Sequence, residues 1–332
     1  MLLPVIGLGN ALQDITTSYD TLCLLVSFIG IAGANFSSSM ANIGNFFPKS
    51  QKGTALGINA GVGNLGVSII YLVAPFAIGT AIFGNLFGGP QITAAGKTIY
   101  LQNACYLWVV PIILTLALIW LYMDNLPLPK QSPKSMLSIF NQKHTWVMTW
   151  IYTCGFGSFI GYSAALAVLV NKEFPEISFT YAAFLGPFIG AGIRPFGGWL
   201  ADKINNGAKI TFWSLIVLFL ASILVLLGIQ THNFILFFST FMLLFLMTGF
   251  VNGASFRMIP YIFKNPFHSS LVTGFTAAIG AYGAFFVPKI FGWSYASFGN
   301  VSPAFYILFL YTFLTILLTW YFYARKNSGM KC

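Results

Sequence analysis

Charged residues are scarce in this sequence. Only 7% of its 332 residues are charged, whereas 57% are hydrophobic and 17% are aromatic. So little charge cannot solvate a soluble domain of this size. Alternating strand patterns are absent and prolines occur throughout the apolar runs, which favours a bundle of spanning helices over an outer-membrane barrel. We therefore expect an all-α, multispan membrane protein.

Groups that carry out catalysis or bind metals are also few. The six acidic residues fall in loops or at helix ends, the three histidines are isolated in loops, and the four cysteines show no CxxC spacing. Neither an enzyme nor a metal or cofactor site is therefore expected. The net charge is +10, but the sixteen Lys and Arg residues are scattered singly rather than gathered on one face, so no nucleic-acid partner is expected.

Ten apolar runs divide the chain. The first, residues 1–12, is a stub, whereas each of the others reaches the roughly 20 residues that a bilayer core requires. These nine runs cover 21–47, 53–83, 101–123, 145–171, 178–201, 208–229, 233–263, 270–297 and 301–324. We therefore predict nine full transmembrane helices and an N-terminal stub.

Loop charges predict the orientation in the membrane. Eleven Lys and Arg residues fall on one side of the predicted bilayer and three on the other, while Arg194 and Arg257 lie inside apolar runs. Because cytoplasmic loops carry the excess of positive charge, we expect the C-terminus in the cytoplasm.

The longest charged connection divides the chain into three predicted parts. An incomplete N-terminal helical bundle covers 1–123, a cytoplasmic central loop covers 124–144, and a C-terminal six-helix bundle covers 145–332. Segments 60–66 and 277–283 share a G-x-x-G pattern and each follows a cytoplasmic loop, which indicates the same helix in two repeated halves. In that register two helices are missing before residue 1.

Arg194 is the most informative single residue. It precedes Asp202 by eight positions, so a helix places it about 12 Å inward of the cytoplasmic boundary. A guanidinium at that depth needs a counter-ion, water or a substrate, and no acidic residue falls inside an apolar run. Two explanations stay open, namely bonding to carbonyls of a broken helix near Gly190 and Gly192, or binding of an anion. Arg257 is closer to the headgroups, and we expect its side chain to extend to them.

Aromatic residues next to small ones suggest a slot beside this arginine. Tyr152 and Phe156 share a helix face at i, i+4 and lie beside Gly155 and Gly157, and Phe36 has a similar setting. Guanidinium offers paired donors in one plane, and flanking rings restrict the orientation of a flat anion. Ordinary core packing is the alternative, because it explains most aromatic residues in membrane proteins.

Glycine-rich helix faces are the other notable feature. Such faces allow close helix packing, and in a carrier they also let two bundles slide past each other. We expect the first set to pack against the second. The two sets are Gly57, Gly61, Gly63 and Gly66, and Gly274, Gly280 and Gly283.

Four segments, in order and spacing, resemble the nitrate/nitrite porters of the major facilitator superfamily. ANFSSSMANIGNFFPKSQKG with ALGINAGVGNLG resembles the first nitrate signature and GFTAAIGAYGAFF the second. FGSFIGYSA and GPFIGAGIRPFGGWLADK are also similar. The resemblance implies a twelve-helix, two-bundle carrier that holds nitrate or nitrite at the midplane between two arginines.

The resemblance also assigns residues. Arg194 matches the arginine of the C-terminal half, Phe36, Tyr152 and Phe156 match the aromatic positions, and Asn64 matches the polar residue of the first glycine segment. The other arginine belongs to a helix that this sequence lacks.

The expected function is nitrate/nitrite exchange across the bacterial inner membrane by a monomer in the lipid bilayer. A fixed positive charge favours exchange, because an empty return leaves that charge unpaired. Proton-coupled nitrate symport, a carrier for another small anion, and a non-functional fragment or nitrate sensor are the alternatives.

Overall fold

The protein is almost entirely helical. The computed structural model describes residues 1–14, 16–84, 86–123, 132–178, 182–328, 330 and 332. The chain forms two compact units, of which the first comprises Met1–Asn35 and Ile70–Lys130 and the second comprises Phe36–Ile69 and Gln131–Cys332.

Sixteen α-helices occur within the described residues. In chain order they are α1 (Leu2–Ala11), α2 (Tyr19–Gly33), α3 (Asn35–Ile43), α4 (Lys52–Gly79), α5 (Asn103–Tyr106), α6 (Val109–Tyr122), α7 (Pro133–Leu137), α8 (Lys143–Tyr152), α9 (Ser158–Glu173), α10 (Leu185–Gly192), α11 (Arg194–Ile204), α12 (Gly207–Gln230), α13 (Phe234–Ile262), α14 (Pro266–Ala281), α15 (Gly283–Phe298) and α16 (Ser302–Thr319). Short 3-10 helices cover Lys49–Gln51 and Ser138–Asn141, and π-helical turns cover Thr153–Gly157 and Trp320–Ala324.

The first unit is held together around Tyr106. Helix α1 packs on α2, α5 and α6. A Cβ on Gly9 would lie 2.8 Å from the Tyr106 ring, so glycine lets the ring lie flat on α1. Gln13 Nε2 donates a hydrogen bond of 3.2 Å to the Tyr106 hydroxyl. Strands β1 (Gln91–Ile92) and β2 (Thr98–Ile99) pair antiparallel in the loop that precedes α5.

Eight helical stretches of the described residues are long and apolar enough to cross a bilayer. They match eight of the nine predicted spans, with boundaries shifted by a few residues. The remaining run, 178–201, is interrupted at Ile193 and gives α10 and α11, and residues 179–181 lie outside the described part. The interruption has a local cause, because Pro195 has no amide hydrogen to donate to the Ala191 carbonyl one turn earlier.

The second unit contains the most deeply buried helices. Helix α13 packs on α10, α11, α12 and α14, and α9 packs on α15. The largest fully buried side chains of the described residues include two arginines, Arg194 and Arg257. Their burial is the least expected feature of an apolar bundle, because each guanidinium must be taken out of water.

The predicted central loop is described only in part. Its residues 124–131 lie outside the described residues, while 132–144 include α7 and the following 3-10 helix. Ser132 is the N-cap residue of α7, and its side chain accepts a hydrogen bond from the Ser135 amide. The division of the chain at 124–144 stays a prediction.

Candidate functional site

Helix α4 approaches α11 very closely. A Cβ on Gly57 would lie 2.8 Å from the Arg194 carbonyl oxygen, and one on Gly61 would lie 2.8 Å from the Ala191 carbonyl oxygen. Neither position has room for a side chain, so the backbones of the two helices are in contact here. From the other side, a Cβ on Gly253 of α13 would lie 2.3 Å from the same Arg194 oxygen. The first residue of α11 is thus held between two glycines.

The Arg194 guanidinium is fully buried and only partly bonded. Its relative exposure is 0%. Nη1 donates a hydrogen bond of 3.1 Å to the carbonyl of Ala60, whereas Nε and Nη2 have no hydrogen-bond partner among the described residues. This carbonyl belongs to α4, so the partner is not the broken helix near Gly190 and Gly192 that the sequence suggested. A buried cation with two free donors is suited to receive an anion.

Aromatic rings surround this cation. The guanidinium carbon lies 4.1 Å from the centre of the Phe159 ring and 5.3 Å from that of Phe156. Phe36 stacks on Phe156 with a ring-centre separation of 5.2 Å and an interplanar angle of 29°. The rings of Tyr152 and Phe156 are 5.4 Å apart, as expected from their i, i+4 spacing. The predicted aromatic residues therefore meet Arg194 in one cluster, which we call the arginine pocket.

The helix is irregular where these rings attach. Thr153–Gly157 form a π-helical turn between α8 and α9, and Phe156 lies within it. The wider π-helical turn changes the direction in which its side chains point, and π-helical turns are frequent at functional sites. On the facing helix, a Cβ on Gly280 would lie 2.8 Å from the Tyr152 ring and 3.1 Å from the Phe156 ring. Gly280 therefore makes room for the two rings.

Asn64 is linked to the arginine pocket through a hydrogen-bond acceptor that it shares with Arg194. It is buried, and its Nδ2 donates a hydrogen bond of 2.8 Å to the Ala60 carbonyl, one turn earlier in α4. Arg194 donates to the same oxygen. Asn64 and Arg194 therefore share one acceptor. That Asn64 contacts an anion stays a prediction.

The predicted glycine pairing is wrong in its partner. Gly57 and Gly61 pack on the residues around Arg194, not on 274–286. Beyond the adjacent backbone of α4, no atom of the described residues lies within 4 Å of a Cβ placed on Gly63 or Gly66. In the second set, a Cβ on Gly274 would lie 3.3 Å from the Ser37 carbonyl oxygen, and one on Gly283 would lie 2.1 Å from Gly157 Cα. The second set therefore packs on α3 and on the π-helical turn.

Arg257 also differs from its prediction. It does not extend to the headgroups but is 1% exposed, and its guanidinium carbon lies 4.0 Å from the Tyr261 ring centre. Nε forms an ion pair of 3.3 Å with Asp202 Oδ1, and Nη2 donates a hydrogen bond to Asn205 Oδ1. Asp202, placed by the sequence at a helix end, supplies the counter-ion.

Asp202 also binds the start of α4. Its Oδ2 accepts hydrogen bonds from the Thr54 amide at 2.7 Å and the Thr54 hydroxyl at 2.8 Å, and its Oδ1 accepts one from the Gly53 amide at 3.3 Å. The first amides of a helix lack partners within the helix, and its N-terminus favours negative charge. One carboxylate thus binds both Arg257 and the first turn of α4.

Two residues of the arginine pocket were not predicted. Phe159 makes the closest ring contact with Arg194, and Asn252 of α13 donates a hydrogen bond of 3.2 Å from Nδ2 to the Tyr152 hydroxyl. Asn252 is 0% exposed. An asparagine inside an apolar run was a usable signal for it, because an amide at that depth needs a partner. Phe159 had no comparable signal among so many aromatic residues.

Comparison with known proteins agrees with this fold. The family model described as Major Facilitator Superfamily matches residues 1–288 of this chain. The solved structure of the Escherichia coli fucose:proton symporter FucP superposes with a TM-score of 0.63 over 96% of this chain and 81% of that chain, at 16% identity. This likeness concerns the fold alone. It confirms the predicted all-α carrier fold of the major facilitator type.

Related sequences identify the family to which the chain belongs within this superfamily. The chain is 37% identical to the nitrate/nitrite transporter NarU of Escherichia coli strain K12, over 100% of this chain and 76% of that protein. It is also 37% identical to the probable nitrate/nitrite antiporter NarK2 of Thermus thermophilus, over 100% of this chain and 77% of that protein. The chain belongs to the nitrate/nitrite porter family of the major facilitator superfamily. It is therefore a multi-pass membrane protein of a carrier family rather than an enzyme.

Proposed function

We propose that this chain exchanges nitrate for nitrite across the bacterial inner membrane, with Arg194 as the counter-charge of the anion. The names of the relatives NarU and NarK2 support the choice of anion. The single observation that carries the proposal is the buried Arg194 guanidinium, whose Nε and Nη2 have no partner among the described residues. Guanidinium presents its donors in one plane, which matches the planar oxygens of nitrate.

The aromatic rings of the arginine pocket supply shape. Phe156 and Phe159 lie against the guanidinium, and Phe36 stacks on Phe156. Nitrate and nitrite are flat and weakly hydrated, so a narrow slot between rings accepts them and excludes bulky or strongly hydrated anions. The same rings exclude water, which strengthens the attraction between cation and anion.

Exchange is favoured over proton symport by the partners of the two buried arginines. Asp202, the carboxylate that pairs with Arg257, also binds the first turn of α4. No acidic side chain of the described residues forms an ion pair with Arg194. Return of the empty carrier would leave that cation unpaired, whereas return with the second anion would not.

The setting is part of the proposal. The carrier acts as a monomer in the lipid bilayer, with its C-terminus in the cytoplasm as the loop charges predict. The contact of Asp202 with the start of α4 then lies at the cytoplasmic end. Alternating access requires this contact to open and close in each cycle.

Transport into proteoliposomes tests the proposal. Vesicles loaded with nitrite should take up labelled nitrate without a pH gradient, and vesicles without internal nitrite should not. Uptake driven by a pH gradient into nitrite-free vesicles would replace exchange by symport. Stronger competition by chlorate or formate than by nitrite would indicate another anion, and no uptake at all would favour a sensor or an inactive fragment.

A further inference from the structure

Asn252 lies beside Tyr152 in the arginine pocket. Its side chain is 0% exposed, its Nδ2 donates a hydrogen bond of 3.2 Å to the Tyr152 hydroxyl oxygen, and its Oδ1 has no hydrogen-bond partner in the part of the chain that the structure describes. A buried amide oxygen without a hydrogen bond is unfavourable for stability.

The direction of this hydrogen bond determines what Tyr152 can do. A phenol can accept hydrogen bonds and can donate one. Because Asn252 donates to the hydroxyl oxygen, the hydroxyl hydrogen is not used in that contact. No described residue accepts it in a hydrogen bond of the structure. Tyr152 is therefore left as a donor.

The ring of Tyr152 cannot easily turn away from this arrangement. It lies 5.4 Å from the Phe156 ring and 4.4 Å from the Phe256 ring, measured between centres, and its edge is backed by Gly280. Tyr152 itself is 0% exposed. With the ring fixed by packing, the hydroxyl oxygen has a fixed position, and Asn252 then determines where its hydrogen can point.

Asn252 is also coupled to Arg194 through its neighbour. Gly253 is the next residue of α13, and a Cβ there would lie 2.3 Å from the Arg194 carbonyl oxygen. One turn of α13 therefore contacts both the tyrosine and the backbone of the arginine. The free Nε and Nη2 donors of Arg194 and the free hydroxyl hydrogen of Tyr152 belong to the same buried cluster.

We propose that Asn252 is a positioning residue that keeps the Tyr152 hydroxyl as a hydrogen-bond donor to the bound oxyanion. The inference rests on the proposed function, because it requires nitrate or nitrite to bind beside Arg194. Asn252 acts through Tyr152 and does not itself contact the anion. An acceptor at this position would take the hydroxyl hydrogen and remove the donor from the pocket.

A double-mutant cycle tests the coupling. Asn252→Leu, Tyr152→Phe and the double variant are reconstituted, and the KM for nitrate is measured in nitrite-loaded proteoliposomes. Each single variant should raise KM about 10-fold, the loss expected for one hydrogen bond to a charged group. The KM of the double variant should also be about 10-fold above that of wild type. When residue 152 is phenylalanine there is no hydroxyl for Asn252 to position, so the second substitution adds no further loss. An additive result of about 100-fold would overturn the proposal.

Controls separate a positioning role from a general loss of structure. Thr248→Val lies one turn earlier on α13, and among the described residues the Thr248 hydroxyl bonds only to the Phe245 carbonyl of its own helix, at 2.8 Å. Its KM should stay within about twofold of wild type. If Asn252→Leu does not fold, Asn252→Ala replaces it in the cycle, and elution as a single folded species is required of every variant.

The experiment distinguishes two failures. If wild-type protein does not exchange nitrate for nitrite, the proposed function is wrong and the inference falls with it. If wild-type protein exchanges the anions but the effect of Asn252→Leu persists unchanged in the Tyr152→Phe background, only the inference is wrong. Equal KM values for wild type and Asn252→Leu would also contradict it.

Discussion

The two buried arginines make an instructive pair. Arg194 is 0% exposed and Arg257 is 1% exposed, and each guanidinium carbon lies about as close to an aromatic ring, 4.1 Å for Phe159 and 4.0 Å for Tyr261. They differ in their counter-ion. Each guanidinium keeps two nitrogens without a hydrogen bond among the described residues, but Arg257 forms an ion pair with Asp202, whereas Arg194 donates to one backbone carbonyl and forms no ion pair with a described acidic residue.

In the proposed function this difference separates a structural cation, Arg257, from an anion-binding cation, Arg194. Desolvating a charge costs several kcal/mol, and a permanent partner offsets that cost in the resting protein. Arg257 has such a partner, so it fastens α11 and α13 to each other. Arg194 has no such partner among the described residues, and in the proposed function a bound anion supplies it.

Removing the counter-ion of Arg257 should have the largest effect on stability. Asp202→Asn leaves a buried guanidinium unpaired, which costs about 3–5 kcal/mol. The free energy of unfolding in mixed micelles measures this loss. The double variant Asp202→Asn with Arg257→Gln is the control, and it should be less destabilised than the single one because no uncompensated charge remains. A loss below about 1 kcal/mol for Asp202→Asn would mean that the two arginines do not differ as described.

Replacing the binding cation should have the largest effect on transport. Arg194→Lys keeps the charge but replaces a planar fork by a point charge, and KM for nitrate should rise about 100-fold, equivalent to about 2.8 kcal/mol. Arg257→Lys is the matched control, since a lysine there can still pair with Asp202, and its KM should change less than about threefold. Equal effects of the two substitutions in the uptake assay would erase the distinction between the arginines.

The glycine face should matter only where it touches α11. Gly61→Leu forces a side chain against the Ala191 carbonyl oxygen at 2.8 Å and against Pro195, and should cost about 1–3 kcal/mol of stability while raising KM. A leucine at position 63 enters open space, so the free energy of unfolding of Gly63→Leu should stay within about 0.5 kcal/mol of that of wild type. Chemical denaturation with parallel uptake assays compares them, and a Gly63→Leu variant that is as impaired as Gly61→Leu would refute the assignment of the contact face.

Local features were predictable because they depend on helix geometry. Spacing places Tyr152 and Phe156 on one face, and their rings indeed meet. Hydropathy gives the depth of Arg194, and depth alone implies a need for a counter-charge. The broken α10 and α11 helix follows from a proline directly after that arginine.

Long-range partners were not predictable in the same way. Hydropathy gives the depth of Arg257 but not its rotation about the helix, so its contact with Asp202 was missed. The glycine error has a simpler cause. At 100° per residue, Gly57 and Gly61 share a face, whereas Gly63 and Gly66 point to the opposite side of α4. Treating all four as one surface led to the wrong partner.

The shared carbonyl of Ala60 links occupancy of the pocket to the position of a helix. Arg194 and Asn64 both donate to this oxygen, and it is the hydrogen-bond acceptor that the guanidinium has in the described residues. An anion that binds Arg194 as proposed would compete with a backbone group of α4 for the same cation. We expect each nitrate that binds to weaken the hold of α11 on α4, and each departing nitrate to restore it. By thermodynamic linkage, the separation of α4 and α11 then depends on ligand concentration. The hydrogen bond to the Ala60 carbonyl is the contact whose formation follows this equilibrium.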